Sequence, residues 1–212
     1  MINKEVPSVD HLIEAKNTVV DCGCYGWSLV DHCRLVGAKL IGVDQDKPSQ
    51  IPPNVEFVMI RNLSIELESG IADVVVASHI LEHIHEPITF MRELVRITRP
   101  GGLIWIEAPS ELATMMMGSS DPEDHSFQNF WDDPTHVRPW PPGAMYRLAL
   151  SCQCRPEAIS RCHVDGIPST RMICRKDVHY DDNLSQSPRY VSLRGVARGV
   201  ENAWNHIWVQ KR

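Results

Sequence analysis

The segment from Thr18 to Asp44 restricts this chain to few folds. Thr18-Val-Val-Asp-Cys-Gly-Cys-Tyr-Gly-Trp27 is an apolar strand that runs into an acidic, glycine-containing turn. A short helical stretch over residues 28–36 ends at Gly37, and Leu40-Ile-Gly-Val-Asp44 is a second strand that closes on a carboxylate. A βαβ unit of this kind holds a nucleoside-bearing cofactor. Glycine in the first turn lets the backbone approach the ligand, and the second carboxylate can bind a ribose diol.

The pattern continues past residue 44. Strands are expected over residues 55–60 and 72–77; the second is a continuous apolar run, as suits a strand covered on both faces. Pro87 starts a helix to about residue 98, with Ile88, Met91, Leu94, Val95 and Thr98 as its buried stripe. Pro100-Gly101-Gly102 turns the chain into a fifth strand over residues 103–108. Ser8 and Asp10 can cap a short helix through about Lys16. Residues 144–151 read as a helix, and residues 157–164 and 171–175 as a closing hairpin. Strand–helix alternation of this sort builds an α/β fold, a Rossmann-like, mostly parallel sheet with helices on both faces. The expected organisation is a single domain over residues 1–212, with its cofactor-binding half at 17–110, an acceptor-side insert at 118–142 and an amphipathic helix at 190–212.

The net charge of −6 gives no footprint for a nucleic-acid backbone, so none is expected as substrate. No apolar run of about 18 residues exists to span a membrane. The start, Met1-Ile-Asn-Lys-Glu-Val-Pro7, lacks the apolar core of a signal peptide, so a cytoplasmic location is expected. Seven cysteines without a Cys-x-x-Cys pair argue against a disulfide framework. Cys152, Cys154, Cys162 and Cys174 cluster late beside His163, but their spacing fits no common zinc module, and buried thiols are the simpler reading. Toward the C-terminus, Leu193, Val196, Val200, Trp204, Ile207 and Trp208 share one helical face. That face can dock on its own domain, on a second copy in a homodimer, or on a membrane surface as a peripheral contact.

The order Asp21-x-Gly23-x-x-Gly26, Asp44, Ile71-Ala-Asp-Val-Val-Val-Ala-Ser-His-Ile-Leu-Glu-His83 and Arg99-Pro-Gly-Gly-Leu-Ile-Trp-Ile-Glu107 resembles class I S-adenosylmethionine-dependent methyltransferases. The resemblance implies a seven-stranded sheet whose last strand is antiparallel, and S-adenosyl-L-methionine as cofactor. It places the turn of Gly23, Cys24 and Gly26 against the methionine and ribose. Asp21 would orient the methionine ammonium, Asp44 would accept both ribose hydroxyls, Asn62 would reach the adenine, and Ser78 would lie near the methionine carboxylate. The family usually has Asp-x-Gly-x-Gly-x-Gly; Tyr25 stands at a glycine-type position here, so the turn must be shaped differently.

His79-Ile-Leu-Glu82-His83 supplies chemistry for an alcohol acceptor. If the stretch is helical, residues 79, 82 and 83 share one face. It resembles the Glu-x-x-Glu-His motif of small-RNA and ubiquinone-pathway O-methyltransferases, which bind a divalent metal. That implies a metal set of His79, Glu82, His83 and the downstream His136, for Fe, Zn, Mn or Mg, with His79 in place of the first Glu favouring a softer ion than magnesium. Two alternatives stand beside it: a metal-free base, His136 or His83, and purely structural histidines. Trp131, Arg138 and Trp140 in the insert are candidate acceptor contacts, through stacking and through a guanidinium grip on phosphate or carboxylate; closure of a small core by the aromatics is the other reading. The Asp133-Pro-Thr-His-Val-Arg-Pro139 run resembles bacterial methyltransferases of polysaccharide and glycoside pathways. The expected activity is therefore O-methylation of a sugar, nucleotide-sugar or similar small polar hydroxyl compound or glycan. Methylation of a small aromatic or quinone-type metabolite, or a non-catalytic cofactor-binding subunit, are the alternatives.

Overall fold

A computed structural model of the chain describes residues 5–118 and 129–177. The C-terminal helix expected at 190–212 and part of the insert lie outside these residues. The elements are β1 (Thr18–Cys22), α1 (Val30–Val36), β2 (Lys39–Asp44), β3 (Glu56–Arg61), β4 (Ser64–Ile65), β5 (Ala72–Ser78), α2 (Pro87–Ile97), β6 (Thr98–Pro109), α3 (Pro142–Ser151), β7 (Cys154–Val164) and β8 (Ile167–Lys176). They form a sheet of order β4-β3-β2-β1-β5-β6-β8-β7. The pairs β1–β2, β1–β5, β2–β3 and β5–β6 are parallel. β8 inserts antiparallel between β6 and β7.

The sheet thus has eight strands where seven were expected. The extra one is β4, a two-residue strand antiparallel to β3. Its turn, Asn62-Leu63, has both residues left-handed, at φ 50° and 62°. That geometry makes a tight hairpin, but without the Asn-Gly or Asp-Gly pair that announces one in a sequence. The β7–β8 hairpin does carry that signal, with Asp165 and Gly166 both at positive φ.

Successive residues of β1, β2, β5 and β6 face opposite layers, and both layers are covered, so the middle of each strand is largely apolar on both sides. One layer packs Val20, Ile41, Val75, Ile104 and Ile106 against α2 and α3. The other packs Val19, Leu40, Val74, Val76 and Trp105 against α1 and the N-terminal residues Val6, Val9 and Ile13. In α2 the buried residues are Phe90, Met91, Leu94, Val95 and Ile97, while Ile88 of the expected stripe is 46% exposed. The helix expected through Lys16 is a single 3-10 turn, Val9–Leu12, and Ser8 makes no side-chain cap. Burial of Val6, Val9 and Ile13 in one layer holds the segment in this shorter form.

One close approach shapes the cofactor turn. A Cβ on Gly42 of β2 would lie 2.5 Å from Cζ3 of Trp27 and 2.8 Å from Sγ of Cys24. The indole lies edge-on to Phe57, and its Nε1 donates to the Gln50 carbonyl at 3.1 Å. Gly42→Ala is therefore expected to lower stability by about 1–3 kcal/mol through overpacking, measured as an earlier midpoint in urea.

Candidate cofactor and acceptor site

A cavity of about 910 Å³ opens where the strand order reverses, beside the carboxyl ends of β1, β2, β3 and β5. Doubly wound sheets bind ligands at this place, because the loops that leave neighbouring strands there diverge to opposite faces. Gly23 follows β1, Asp44 ends β2, Asn62 lies in the β3–β4 turn, and His79 and His83 follow β5; all border the cavity. Pro134, Thr135, His136 and Val137 of the insert close its other side.

In the cofactor half, Gly23 has φ 86° and donates its N–H to the Val43 carbonyl at 2.8 Å, which brings the first turn onto the end of β2. Asp21 lies beneath it, 5% exposed. Burial, reinforced by the charge of Asp44, pushes the Asp21 carboxyl up to about 7. Cys24 is buried against Gly42, and neither it nor Gly26 borders the cavity. Ser78 turns away as well and donates to Glu107 at 3.4 Å. Tyr25, the residue at the family's glycine-type position, does border the cavity, and it is 82% exposed.

The turn after β5 departs from the expected helix. His79 sits at φ 49°, and only Leu81–His83 forms a 3-10 turn. Residues 79, 82 and 83 therefore do not share a helical face. Instead His79 Nδ1 lies 3.3 Å from Glu82, and its Nε2 lies 3.5 Å from Glu107. Burial draws this imidazole toward neutrality, but the two carboxylates outweigh burial and raise its pKa to about 9. His79 Nδ1 faces Glu82, its buried Nε2 has no hydrogen-bond partner among the described residues, and its ring nitrogens are not among the donor atoms that converge from the other three candidate ligands. Glu107 also accepts from Arg171 Nε at 2.6 Å, and the Arg171 guanidinium stacks over Trp105 at 5.1 Å. Glu107 ends an apolar run in the sequence, yet its partners become visible only through the β6–β8 register, which pairs it with Arg171.

Glu82, His83 and His136 do come together. One donor atom from each lies within 4.8 Å of the others. Glu82 is 1% exposed, and among the described residues its Oε2 has no hydrogen-bond partner. Such an orphaned buried carboxylate oxygen is costly unless a ligand or cation meets it, so the donor set fits a divalent ion. The imidazole rings are 4.8 Å apart, and His136 stacks on Phe130 at 4.4 Å. His83 Nδ1 is 2.9 Å from Thr135 Oγ1, which donates to Asp133 Oδ1 at 2.5 Å. His136 Nδ1 is 2.6 Å from the Phe130 carbonyl. The Val137 N–H donates to the Glu82 carbonyl at 2.8 Å and ties the insert to the post-β5 turn.

The three candidate acceptor contacts do not border this cavity. Arg138 donates to the His85 carbonyl at 2.9 Å, Trp140 is buried in the main core, and Trp131 is 58% exposed, edge-on to Phe130. Phe130 is buried against Trp131 and His136, and Trp140 joins the main core. Among the described residues the late cysteines form no group of three converging ligand atoms: Cys174 pairs with Cys154 through a thiol hydrogen bond, while Cys152, Cys162 and Cys174 donate to Ile88, Glu107 and Ile104 respectively.

Residues 5–155 match the family model described as a methyltransferase domain, Methyltransf_23. The chain belongs to the methyltransferase-domain family. Over 106 residues it is 28% identical to a ubiquinone biosynthesis O-methyltransferase of Chromobacterium violaceum, covering 45% of this chain and 45% of that protein. The chain spans less than half the length of the curated relatives it matches. A solved S-adenosylmethionine-dependent methyltransferase of Methanosarcina mazei superposes with a TM-score of 0.64 at 12% identity, over 83% of this chain and all of that one. The 1,6-didemethyltoxoflavin-N1-methyltransferase of Burkholderia thailandensis superposes at 0.60 with 17% identity, over 80% and 74%. At such identities the likeness is one of fold. It is the class I methyltransferase fold, and S-adenosylmethionine is the cofactor of that family. The resemblance to polysaccharide-pathway enzymes has no counterpart among these relatives. Among the described residues no helix is long and apolar enough to cross a membrane.

Proposed function

We propose that this chain is an S-adenosylmethionine-dependent O-methyltransferase acting on a hydroxyl of a small molecule. The observation that carries the reading is the meeting, in one cavity, of Gly23 and Asp44 at the cofactor end with His83 and His136 at the other. Bound there, S-adenosylmethionine supplies a methyl group made electrophilic by its sulfonium. Gly23, Asp44 and Asn62 would hold the nucleoside, and Asp21 would meet the methionine ammonium. The walls around His79, His83 and Thr135–Val137 would align the acceptor oxygen in line with the methyl, which can lower the barrier by about 7–11 kcal/mol. His83 or His136 would take the proton of the acceptor hydroxyl as that oxygen gains the methyl group, a contribution of about 10²–10⁴ in rate.

A second reading rests on the orphaned Glu82 oxygen beside the two imidazoles. Glu82, His83 and His136 would then hold a divalent ion, and such an ion would lower the pKa of the acceptor hydroxyl. For the acceptor, the relative from Chromobacterium violaceum, named for ubiquinone biosynthesis, draws the reading toward a quinone-type ring hydroxyl. It draws it away from the sugar suggested by the Asp133–Pro139 run.

S-adenosylhomocysteine formation, assayed with phenolic, nucleotide-sugar and glycan acceptors, tests the activity and sorts the acceptor class. His83→Ala is expected to lower kcat by about 10²–10⁴. Activity that survives chelation supports the metal-free base. Activity lost on chelation and restored by an added divalent ion supports the metal. No product with any acceptor, at a protein concentration where the cofactor binds, refutes the O-methyltransferase assignment.

A further inference from the structure

We propose that Asp133 and Thr135 are positioning residues that lock His83 in the tautomer protonated on Nδ1, leaving Nε2 with a free lone pair on a ring that borders the cavity. Asp133 Oδ1 accepts twice, from the Thr135 backbone N–H at 2.8 Å and from the Thr135 hydroxyl at 2.5 Å. A backbone N–H can only donate, so Asp133 Oδ1 acts as an acceptor toward Thr135. A threonine hydroxyl has one hydrogen to give. Once that hydrogen goes to Asp133, the oxygen can only accept from His83 Nδ1, 2.9 Å away. In the reverse arrangement Thr135 donates to His83 and sets an oxygen lone pair against a carboxylate at 2.5 Å, which is repulsive. Nδ1 of His83 must therefore carry the proton.

His136 reaches the same state by a different route. Its Nδ1 lies 2.6 Å from the Phe130 carbonyl, and a carbonyl only accepts. Nε2 is again the nitrogen left over, with Asp133 Oδ2 at 3.7 Å. One carboxylate, two residues before Thr135 and three before His136, thus attends both imidazoles. Pro134 between Asp133 and Thr135 has no N–H to compete for that carboxylate and a fixed φ that narrows the turn. The consequence for catalysis rests on the methyl-transfer reading above: whether the acceptor proton goes to His83 or a divalent ion binds there, the group required is an unprotonated Nε2. The tautomer itself does not depend on that reading.

The test is nitrogen-15 NMR of the histidine side chains in the full chain, at a pH where His83 is neutral, with Thr135→Val, Thr135→Ser and Asp133→Asn alongside wild type. Wild type is expected to show His83 protonated on Nδ1. Thr135→Val is expected to shift the population toward Nε2–H, which dominates in free imidazole side chains, and Thr135→Ser is expected to return it. Asp133→Asn gives an independent reading if the valine variant folds poorly. In the methyl-transfer assay, Thr135→Val should lower kcat about 10–100-fold with little change in KM for S-adenosylmethionine, and serine should restore it. A wild-type His83 protonated on Nε2, or a tautomer unmoved by both Thr135→Val and Asp133→Asn, overturns the relay. A shifted tautomer with unchanged kcat overturns its catalytic role. Absence of any product from wild type counts against the methyl-transfer reading and leaves the tautomer result standing.

Discussion

Replacing Asp44 with alanine is expected to lower the affinity for S-adenosylhomocysteine by at least about 100-fold in titration calorimetry. Asp44 ends β2 and borders the cavity at the switch in strand order. Among the described residues its Oδ1 accepts a 3.3 Å bond from the Asp46 N–H, which leaves capacity for a ribose diol. Hydrogen bonds to a charged acceptor contribute about 1.5–3 kcal/mol each, and each 1.4 kcal/mol is about tenfold in affinity. Two such bonds lost together give roughly 3 kcal/mol or more. The change lies at a half-buried strand end, so the thermal midpoint of the apoprotein should move little. Affinity equal to wild type would remove Asp44 from the cofactor site and leave the ribose without an acceptor at this edge.

Asp21→Asn should act in two opposite directions. The Asp21 carboxyl has an ordinary value of 3.8 and rises to about 7 in the folded chain, driven first by burial and then by Asp44. Below about pH 4 the group is protonated in both states, and stability has its full value. As pH climbs from about 4 to about 7, the unfolded chain releases its proton first and stability is lost; above about 7 the loss is complete. A shift of about three units corresponds to about 4 kcal/mol at most, and relaxation of the site makes about 2–4 kcal/mol the working range. The asparagine variant avoids that loss, so its melting point above neutral pH should exceed wild type by roughly 5–10 °C, with a flatter pH–stability profile. Cofactor affinity should fall at the same time, because the carboxylate proposed to meet the methionine ammonium is gone. Destabilising buried acids persist where they serve a site, and the paired outcome tests that. Identical pH–stability profiles for the two proteins would overturn the reading of Asp21.

Much of the frame could be read from residue order. Continuous apolar runs marked β1, β2, β5 and the body of β6, because a strand buried on both faces has no polar side to show. Gly23 and Asp44 could be paired for the same reason: a βαβ unit brings the ends of its two strands together by local connectivity alone. The strand β4 could not be read, since two residues carry no periodicity and Asn62-Leu63 carries no familiar turn signature. Nor could the turn at His79, where a left-handed backbone replaces the helix that would have put residues 79, 82 and 83 on one face.

The end of the cavity bordered by His83 and His136 belongs to tertiary structure. His83 and His136 are 53 positions apart, and nothing in their local spacing says that a Val137–Glu82 backbone bond docks one segment on the other. Glu107 meets Arg171 only because β8 enters the sheet antiparallel to β6 at one particular register. Trp131, Arg138 and Trp140 had the right chemistry for an acceptor, but packing sends them to the surface, to a carbonyl and to the core. Sequence determined the parallel strands of the sheet and which strand ends, Gly23 and Asp44, lie side by side, because those follow from local periodicity and from connections of a few residues. Packing decided which imidazoles, carboxylates and hydroxyls share the cavity, because contacts between distant segments depend on burial and register that no local pattern encodes.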